Sequence, residues 1–258
     1  MRVCLLASGS RGNSTLIETD GFRLLVDAGL SGVETERRLA TLGLSGEDLH
    51  AILVTHEHHD HVGGIGPLAR RFQLPVHIDH KTHAALPKLG KIEKLQLFSA
   101  GDKFSCQSLA IESFSTTHDA VNPVGYVINS TEGRIGFVTD LGMATRLVAE
   151  QLKGCRVLVV EANHDEQMLR DGPYPWALKQ RIRSKHGHLS NVETGELLKS
   201  VVWPGLEALF LAHLSEENNC PQLVAEHFNQ TLAEHDCRPK IIVGQQHQAS
   251  SCFVGALL

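Results

Sequence analysis

Ala51-Ile52-Leu53-Val54-Thr55-His56-Glu57-His58-His59-Asp60-His61 places three imidazoles and a carboxylate, in the order H-x-H-x-D-H, directly behind a short apolar run. The run has the length of a buried strand, and side chains alternate along a strand. His56 and His58 therefore face the same way and can grip one metal ion. A turn beyond the strand lets Asp60 and His61 reach a second ion. Imidazole and carboxylate are ligands for Zn, Mn or Fe, and paired ions suit hydrolysis of phosphodiesters and esters. A histidine-rich surface loop is the plain alternative. Four metal-capable side chains within six residues, set behind an apolar strand, argue against it.

A two-ion site needs further ligands, and three other strand ends offer them. His118 follows the run Leu109–Ser115, Asp140 ends Arg134–Asp140 ahead of Leu141-Gly142, and His213 ends Ala208–His213. Each alone reads as a structural or surface residue. Together with the first motif they supply His, Asp and His from separate strand ends.

With these residues the chain resembles the metallo-β-lactamase fold hydrolases, whose ligand order is HxHxDH, His, Asp, His. The resemblance implies that His56, His58 and His118 hold one divalent ion and Asp60, His61 and His213 the other, with Asp140 bridging them. His59 fills the variable position and points away. A closer resemblance, to the YycJ/WalJ-type 5′→3′ exonuclease branch, covers almost the whole chain. It rests on Ala7-Ser8-Gly9-Ser10-Arg11-Gly12-Asn13-Ser14, His118-Asp119-Ala120 with Pro123-Val124-Gly125-Tyr126, and Glu161-Ala162-Asn163-His164-Asp165. Gly172-Pro173-Tyr174-Pro175-Trp176, Gly187-His188-Leu189-Ser190-Asn191 and His213-Leu214-Ser215-Glu216-Glu217-Asn218-Asn219 complete it. The fold implied is an α/β (α+β) αββα four-layer sandwich spanning 1–258 as a single domain. The activity implied is a metal-dependent DNA exonuclease of repair or replication.

The bulk properties are compatible with that fold. At 258 residues and 42% hydrophobic, the chain can bury one large core. No apolar run is long enough for a signal peptide or a membrane span, so no membrane partner is expected. The six cysteines are scattered without a C-x-x-C pair, which reads as reduced thiols in a cytoplasmic protein without a structural zinc ribbon.

Strands are expected at Val3–Ala7, Thr15–Glu18, Phe22–Asp27, Ala51–Thr55, Pro75–Ile78, Phe104–Ser115, Val124–Asn129, Ile135–Thr139, Arg156–Glu161, Ala208–Ala212 and Lys240–Val243. Ser31-Gly32-Val33-Glu34 reads as a capping box ahead of a helix over Glu36–Leu42. Ser190-Asn191-Val192-Glu193 opens another helix through about Val201, and Cys220–His235 forms a third. This interleaving suggests two packed sheets with helices outside. Gly9 to Asn13 lacks the lysine of a P-loop and reads as a tight turn between the first two strands, its amides near the rim of the site.

Two ions held close together lower the pKa of a shared water and stabilise developing charge, and Asp60 is placed to orient that water. A phosphodiester also needs a proton for its departing oxygen. His188, just before a helix N-terminus, is the candidate acid. Similar nucleases of this fold, including the tRNA 3′-processing branch, pair such a histidine with an upstream glutamate, here Glu161. A carboxylate touching an imidazole favours its protonated form. The formal net charge of −5 gives no global attraction to phosphate, so nucleic acid requires a local patch. Lys179, Arg181, Arg183 and Lys185 offer one, with Tyr174 and Trp176 to stack on a terminal base. A solvated cationic helix face is the competing reading, and Arg70 and Arg71 read as ordinary surface charge. The alternatives on the same site are a small cyclic-phosphodiester or RNA-processing hydrolase, a thioester or lactone hydrolase, and a non-catalytic binding scaffold. Oligomeric state has no sequence signal.

Overall fold

The computed structural model describes residues 1–233, 235 and 237–255. The strands, in chain order, are β1 (Arg2–Ala7), β2 (Ser14–Thr19), β3 (Phe22–Val26), β4 (Ala51–Leu53), β5 (Val76–Asp79), β6 (Leu95–Phe98) and β7 (Lys103–Cys106). They continue with β8 (Leu109–Ser115), β9 (Val124–Ser130), β10 (Gly133–Val138), β11 (Val157–Glu161), β12 (Ala208–Ala212), β13 (Lys240–Val243) and β14 (Phe253–Val254). Among the described residues they build two seven-stranded sheets, ordered β14-β1-β2-β3-β4-β5-β6 and β13-β12-β11-β10-β9-β8-β7. Each sheet opens with antiparallel neighbours and passes to parallel ones, at β3–β4 and at β10–β11. Parallel neighbours need crossovers, and helices provide most of them. Ile65–Phe72 runs between β4 and β5, Arg146–Leu152 between β10 and β11, Asn191–Val201 between β11 and β12, and Pro221–Ala233 between β12 and β13.

Strand alternation makes three cores from these layers. Leu24, Val26, Leu53, Ile111, Tyr126, Phe137, Val159 and Phe210 meet between the sheets. Leu25 and Ile52 turn outward beneath Leu39 and Leu68, while Leu158 and Leu209 lie beneath Leu198 and Phe228. A strand covered on both faces has no polar face, which explains runs such as Val157-Leu158-Val159-Val160. Each fully buried Leu, Ile, Val or Phe contributes roughly 1.5–3 kcal/mol, so this double burial fixes the four-layer αββα arrangement. Among the described residues no helix is long and apolar enough to cross a membrane.

The expected strands are present with one division. Phe104–Ser115 is a hairpin, β7 and β8, turning at Gln107-Ser108, where Gln107 holds a left-handed φ of 53°. No glycine marks that turn. β6 and β14 lie outside the expected set. The first helix begins at Gly32, earlier than expected. Its box is half formed: Ser31 Oγ accepts from Glu34 N, but the Glu34 carboxylate is taken by Arg37 and Arg38. Ser190 and Glu193 form the full reciprocal box. Of the expected Cys220–His235 helix, Pro221–Ala233 is helical, and position 234 lies outside the described residues.

Candidate metal centre

The carboxyl-terminal ends of β3, β4, β10, β11 and β12 converge at one mouth of the sandwich, delivering Asp27, His56, Asp140, Glu161 and His213. Asp27, Asp140 and His213 all carry positive φ (60°, 55° and 54°), a conformation that costs a non-glycine residue of order 1 kcal/mol or more. Past their strand ends Asp140 and His213 face one another, and Asp27 faces His61.

Three imidazole nitrogens meet first. His56 Nε2 and His118 Nε2 lie 3.1 and 3.3 Å from His58 Nδ1. Their tautomers follow from the opposite ring atoms. Thr55 donates its hydroxyl to Asp27 Oδ2, so its oxygen accepts from His56 Nδ1 at 3.0 Å. His118 Nδ1 donates to the Gly187 carbonyl at 3.0 Å. The Nε2 lone pairs of both rings are thereby left facing His58. Asp60, His61 and His213 form a second group. There His61 Nδ1 donates to Asp27 Oδ2 (2.7 Å) and His213 Nδ1 to Glu161 Oε1 (3.2 Å). Asp140 lies between the groups, its carboxylate oxygens 3.2 Å from His61 Nε2, 3.5 Å from His213 Nε2 and 3.7 Å from His118 Nε2.

The donor set fits divalent cations. Within each of the two triads the ligand-capable atoms lie within 4.8 Å of one another. His213 Nε2 is buried without a hydrogen bond. Asp27, Asp60, Asp140 and Glu161 gather there, and among the described residues no lysine or arginine pairs with them. Positive charge must come from imidazolium or from a cation. Burial opposes protonation of His213, yet Asp140, Asp60 and Glu161 raise it to about 10. His56, by contrast, is pushed well below its ordinary value by burial and by His61. Burial would raise Glu161, but the charge and hydrogen bond of His188, joined by that of His213, hold it at about 2.

His188 and Glu161 meet as expected, Nδ1 to Oε1 at 2.7 Å, with His188 lining the central pocket. Glu161 does more than orient His188: its Oε2 accepts from Leu141 N and Leu189 N, and its Oε1 is shared with His213. His59 is exposed and lines a different cleft. The Gly9–Asn13 turn reaches the site through its last residue. Asn13 Nδ2 lies 3.1 Å from Asp60 Oδ2 and 3.0 Å from His61 Nε2.

The expected nucleic-acid contacts divide. Tyr174 and Arg181 line the pocket, and Arg181 Nε donates to Asp119 Oδ2 at 2.5 Å, beside His118. Lys179 is occupied by the carbonyls of Arg170 and Gly172, each at 2.7 Å. Trp176 is 71% exposed and outside the pocket lining. Arg183 and Lys185 are exposed and follow the helix Trp176–Ile182 instead of sharing a face of it. Sequence assigns no role to Asp27, and Asn13 and Asp119 enter it only as residues of quoted motifs. For Asp27 the signal was an acid ending an apolar strand, the pattern that identified Asp140.

The family model described as a beta-lactamase superfamily domain matches residues 22–213. The chain is 39% identical to exodeoxyribonuclease YycJ of Bacillus anthracis, over 92% of this chain and 95% of that one. It is 40% identical to exodeoxyribonuclease WalJ of Streptococcus pneumoniae, over 90% and 88%. The chain belongs to the metallo-β-lactamase superfamily. Its fold agrees with that of the metallo-β-lactamase fold protein YhfI from Bacillus subtilis, at a TM-score of 0.75, 16% identity and coverage of 98% and 99%. Human tRNase Z, short form, aligns at a TM-score of 0.65 and 15% identity over 97% and 99%. The chain is a metal-dependent hydrolase, and the superfamily's divalent ions have candidate ligand clusters here.

Proposed function

We propose that this chain is a 5′→3′ DNA exonuclease holding two divalent ions, one on His56, His58 and His118, the other on Asp60, His61 and His213, with Asp140 between them. The observation that carries the reading is the half-buried His188, backed by the buried Glu161 and set against the converging ligands. A phosphodiester needs a proton at its departing oxygen; an ester or lactone hydrolase has less use for a second, carboxylate-backed histidine. Near-full-length likeness to two exodeoxyribonucleases supports the nucleic-acid substrate.

Bound ions would supply a more acidic water and positive charge at the scissile phosphate. The chain's own groups divide the remaining work. Glu161 accepts from His188 Nδ1, fixing the ring so that Nε2 delivers a proton to the departing oxygen. Asp60, tied to Asn13, orients the attacking water. Tyr174 and Arg181, on the pocket wall, receive the terminal nucleotide, with Arg183 and Lys185 beyond. We read the described residues as one domain, because the inter-sheet core draws on strands from β1 to β14.

The test is a panel of 5′-phosphorylated, end-labelled DNA and RNA incubated with Zn, Mn or Fe. Release of mononucleotides from the 5′ end of DNA, abolished by His58→Ala, is expected. Hydrolysis of cyclic or small diesters alone would overturn the assignment.

A further inference from the structure

Two shallow clefts adjoin outside the first sheet, and Arg70 lines both. The larger, about 410 Å³, is walled in part by His59, Arg70, Leu86 and Lys88. The smaller, about 250 Å³, is walled in part by Arg70, Lys91, Glu93 and Lys94. His59 sits between His58 and Asp60, so the larger cleft begins one residue from the metal centre. A second contact joins this lobe to the pocket rim. Thr82 Oγ1 donates to the Asn122 carbonyl (3.4 Å), in the loop that carries Asp119.

The charge of this lobe opposes that of the whole. Residues 70–94 hold six Lys and Arg against two acids, in a chain with 24 against 29. Of those acids, Asp79 is buried and occupied by the amides of Lys81, Thr82 and Ala100, which leaves Glu93 to face the clefts. Lys81, Lys88, Lys91 and Lys94 are exposed and join no ion pair among the described residues. The Arg70 guanidinium is anchored without being neutralised. It donates to the Leu89 carbonyl (3.1 Å), and Gly66 and Gly90 approach so closely that a Cβ on either would stand 3.0 or 2.9 Å from its Nη1. Arg71 differs: Glu36 pairs with it at 2.6 Å, and it lies over the Phe72 ring.

We propose that this lobe is a binding surface for the phosphate backbone of the polynucleotide, holding the strand beside the metal centre. The inference rests on the nucleic-acid reading above. A chain of net charge −5 repels polyanions in bulk, so unpaired cations collected along adjoining clefts supply the local attraction that phosphates need. Their side chains are flexible and lack base-reading geometry, so the surface grips backbone without selecting sequence.

The test compares wild type with Lys88→Ala/Lys91→Ala/Lys94→Ala and with an equally exposed control, Arg37→Ala/Arg146→Ala/Lys153→Ala. Steady-state cleavage of a long DNA is followed across a salt series, alongside hydrolysis of bis(p-nitrophenyl) phosphate, which has no backbone to hold. The cleft variant should raise KM for DNA about ten-fold and flatten the salt dependence of binding by about 2–3 in log–log slope, roughly 0.7–0.9 per phosphate contact. Its kcat and small-diester hydrolysis should match wild type, and the control should match throughout. Unchanged KM and slope in the cleft variant, with wild type still degrading DNA, would overturn the inference alone. A wild type that hydrolyses the small diester but no polynucleotide would overturn the parent reading and this one together. Anionic phospholipid vesicles serve as a competing polyanion. Tight vesicle binding lost in the cleft variant, with DNA KM unaffected, would assign the lobe to a lipid surface and refute the nucleic-acid role.

Discussion

Glu161→Gln changes one atom and should invert the proton arrangement of two histidines. The carboxylate accepts from Leu141 N and Leu189 N at Oε2 and faces His188 Nδ1 and His213 Nδ1 at Oε1. A glutamine retains one acceptor oxygen. The two backbone N–H groups are fixed donors and will claim it, which turns the new NH₂ toward the two imidazoles. Their Nδ1 atoms must then accept, so the ring protons move to Nε2. On His213 that proton occupies the lone pair aimed toward Asp140 and Asp60 (3.5 and 3.7 Å). Loss of such an orienting partner costs 10–100-fold in metal affinity, about 1.4–2.8 kcal/mol. At saturating metal, His188 still lacks the carboxylate that favours its protonated form, and turnover should fall by roughly 10²–10⁴. Shape and volume are conserved, so the melting temperature of the metal-free protein should move by only a few degrees. Chelator competition measures the affinity, elemental analysis the occupancy, and single-turnover cleavage at excess metal the chemistry. A Glu161→Gln protein with wild-type chelator resistance and wild-type turnover would refute the tautomer argument.

His188→Ala should lower turnover by roughly 10²–10⁴ while elemental analysis finds the metal content unchanged, whereas metal loss would make the residue a ligand. Gly29→Ala should destabilise by about 3 kcal/mol or more, read by thermal melting, because a Cβ there would stand 1.6 Å from the Asp60 carbonyl oxygen. A melting temperature within two degrees of wild type, on the order of 1 kcal/mol, would show that the loop yields freely. In metal-free protein His213 is raised to about 10, so its contribution is complete below pH 6.5 and lost as pH climbs through 10. Apoprotein melting should therefore fall between pH 7 and pH 10, and a flat profile would contradict the carboxylate cage. Two classes of metal site should appear in a calorimetric titration, because His61 and His213 are backed by the carboxylates of Asp27 and Glu161 while His56 and His118 are backed by neutral oxygens. Loss of the tighter class in Asp60→Ala would identify it, and loss of the weaker class instead would reverse the order.

The architecture was legible where burial is two-sided. Val157-Leu158-Val159-Val160 and Ala208-Leu209-Phe210-Leu211 read as strands covered on both faces, and the candidate ligands at their ends follow from where such strands stop. The division of Phe104–Ser115 was not legible, because a left-handed Gln107 makes the turn without the glycine or asparagine that marks most hairpins. Among site residues, ligand-type side chains were found because several cluster within a few positions or end an apolar run. Asp27 fits that second rule and was still missed, since its partners, Thr55 and His61, lie 28 and 34 residues on. The engagement of Lys179 was hidden for the opposite reason. Local sequence reports charge, whereas the Arg170 and Gly172 carbonyls that consume it depend on how the preceding loop folds back.

The two sheets contribute to the centre in parallel ways, and this explains why the site tolerates backbone strain. β3 of the first sheet ends in Asp27, whose carboxylate orients His61 and also ties down Thr55 N at 2.8 Å. β11 of the second ends in Glu161, which orients His213 and His188 and ties down Leu141 N and Leu189 N. Each carboxylate thus fixes a candidate ligand ring and the backbone of a neighbouring segment together. A ring could rotate away only by giving up a charge-assisted hydrogen bond to a buried carboxylate, worth about 1.5–3 kcal/mol. That is comparable with the strain of the left-handed Asp27, Asp140 and His213. The strained backbone persists because relaxing any one of the three would break a charged hydrogen bond or pull a carboxylate from the cluster that shares it.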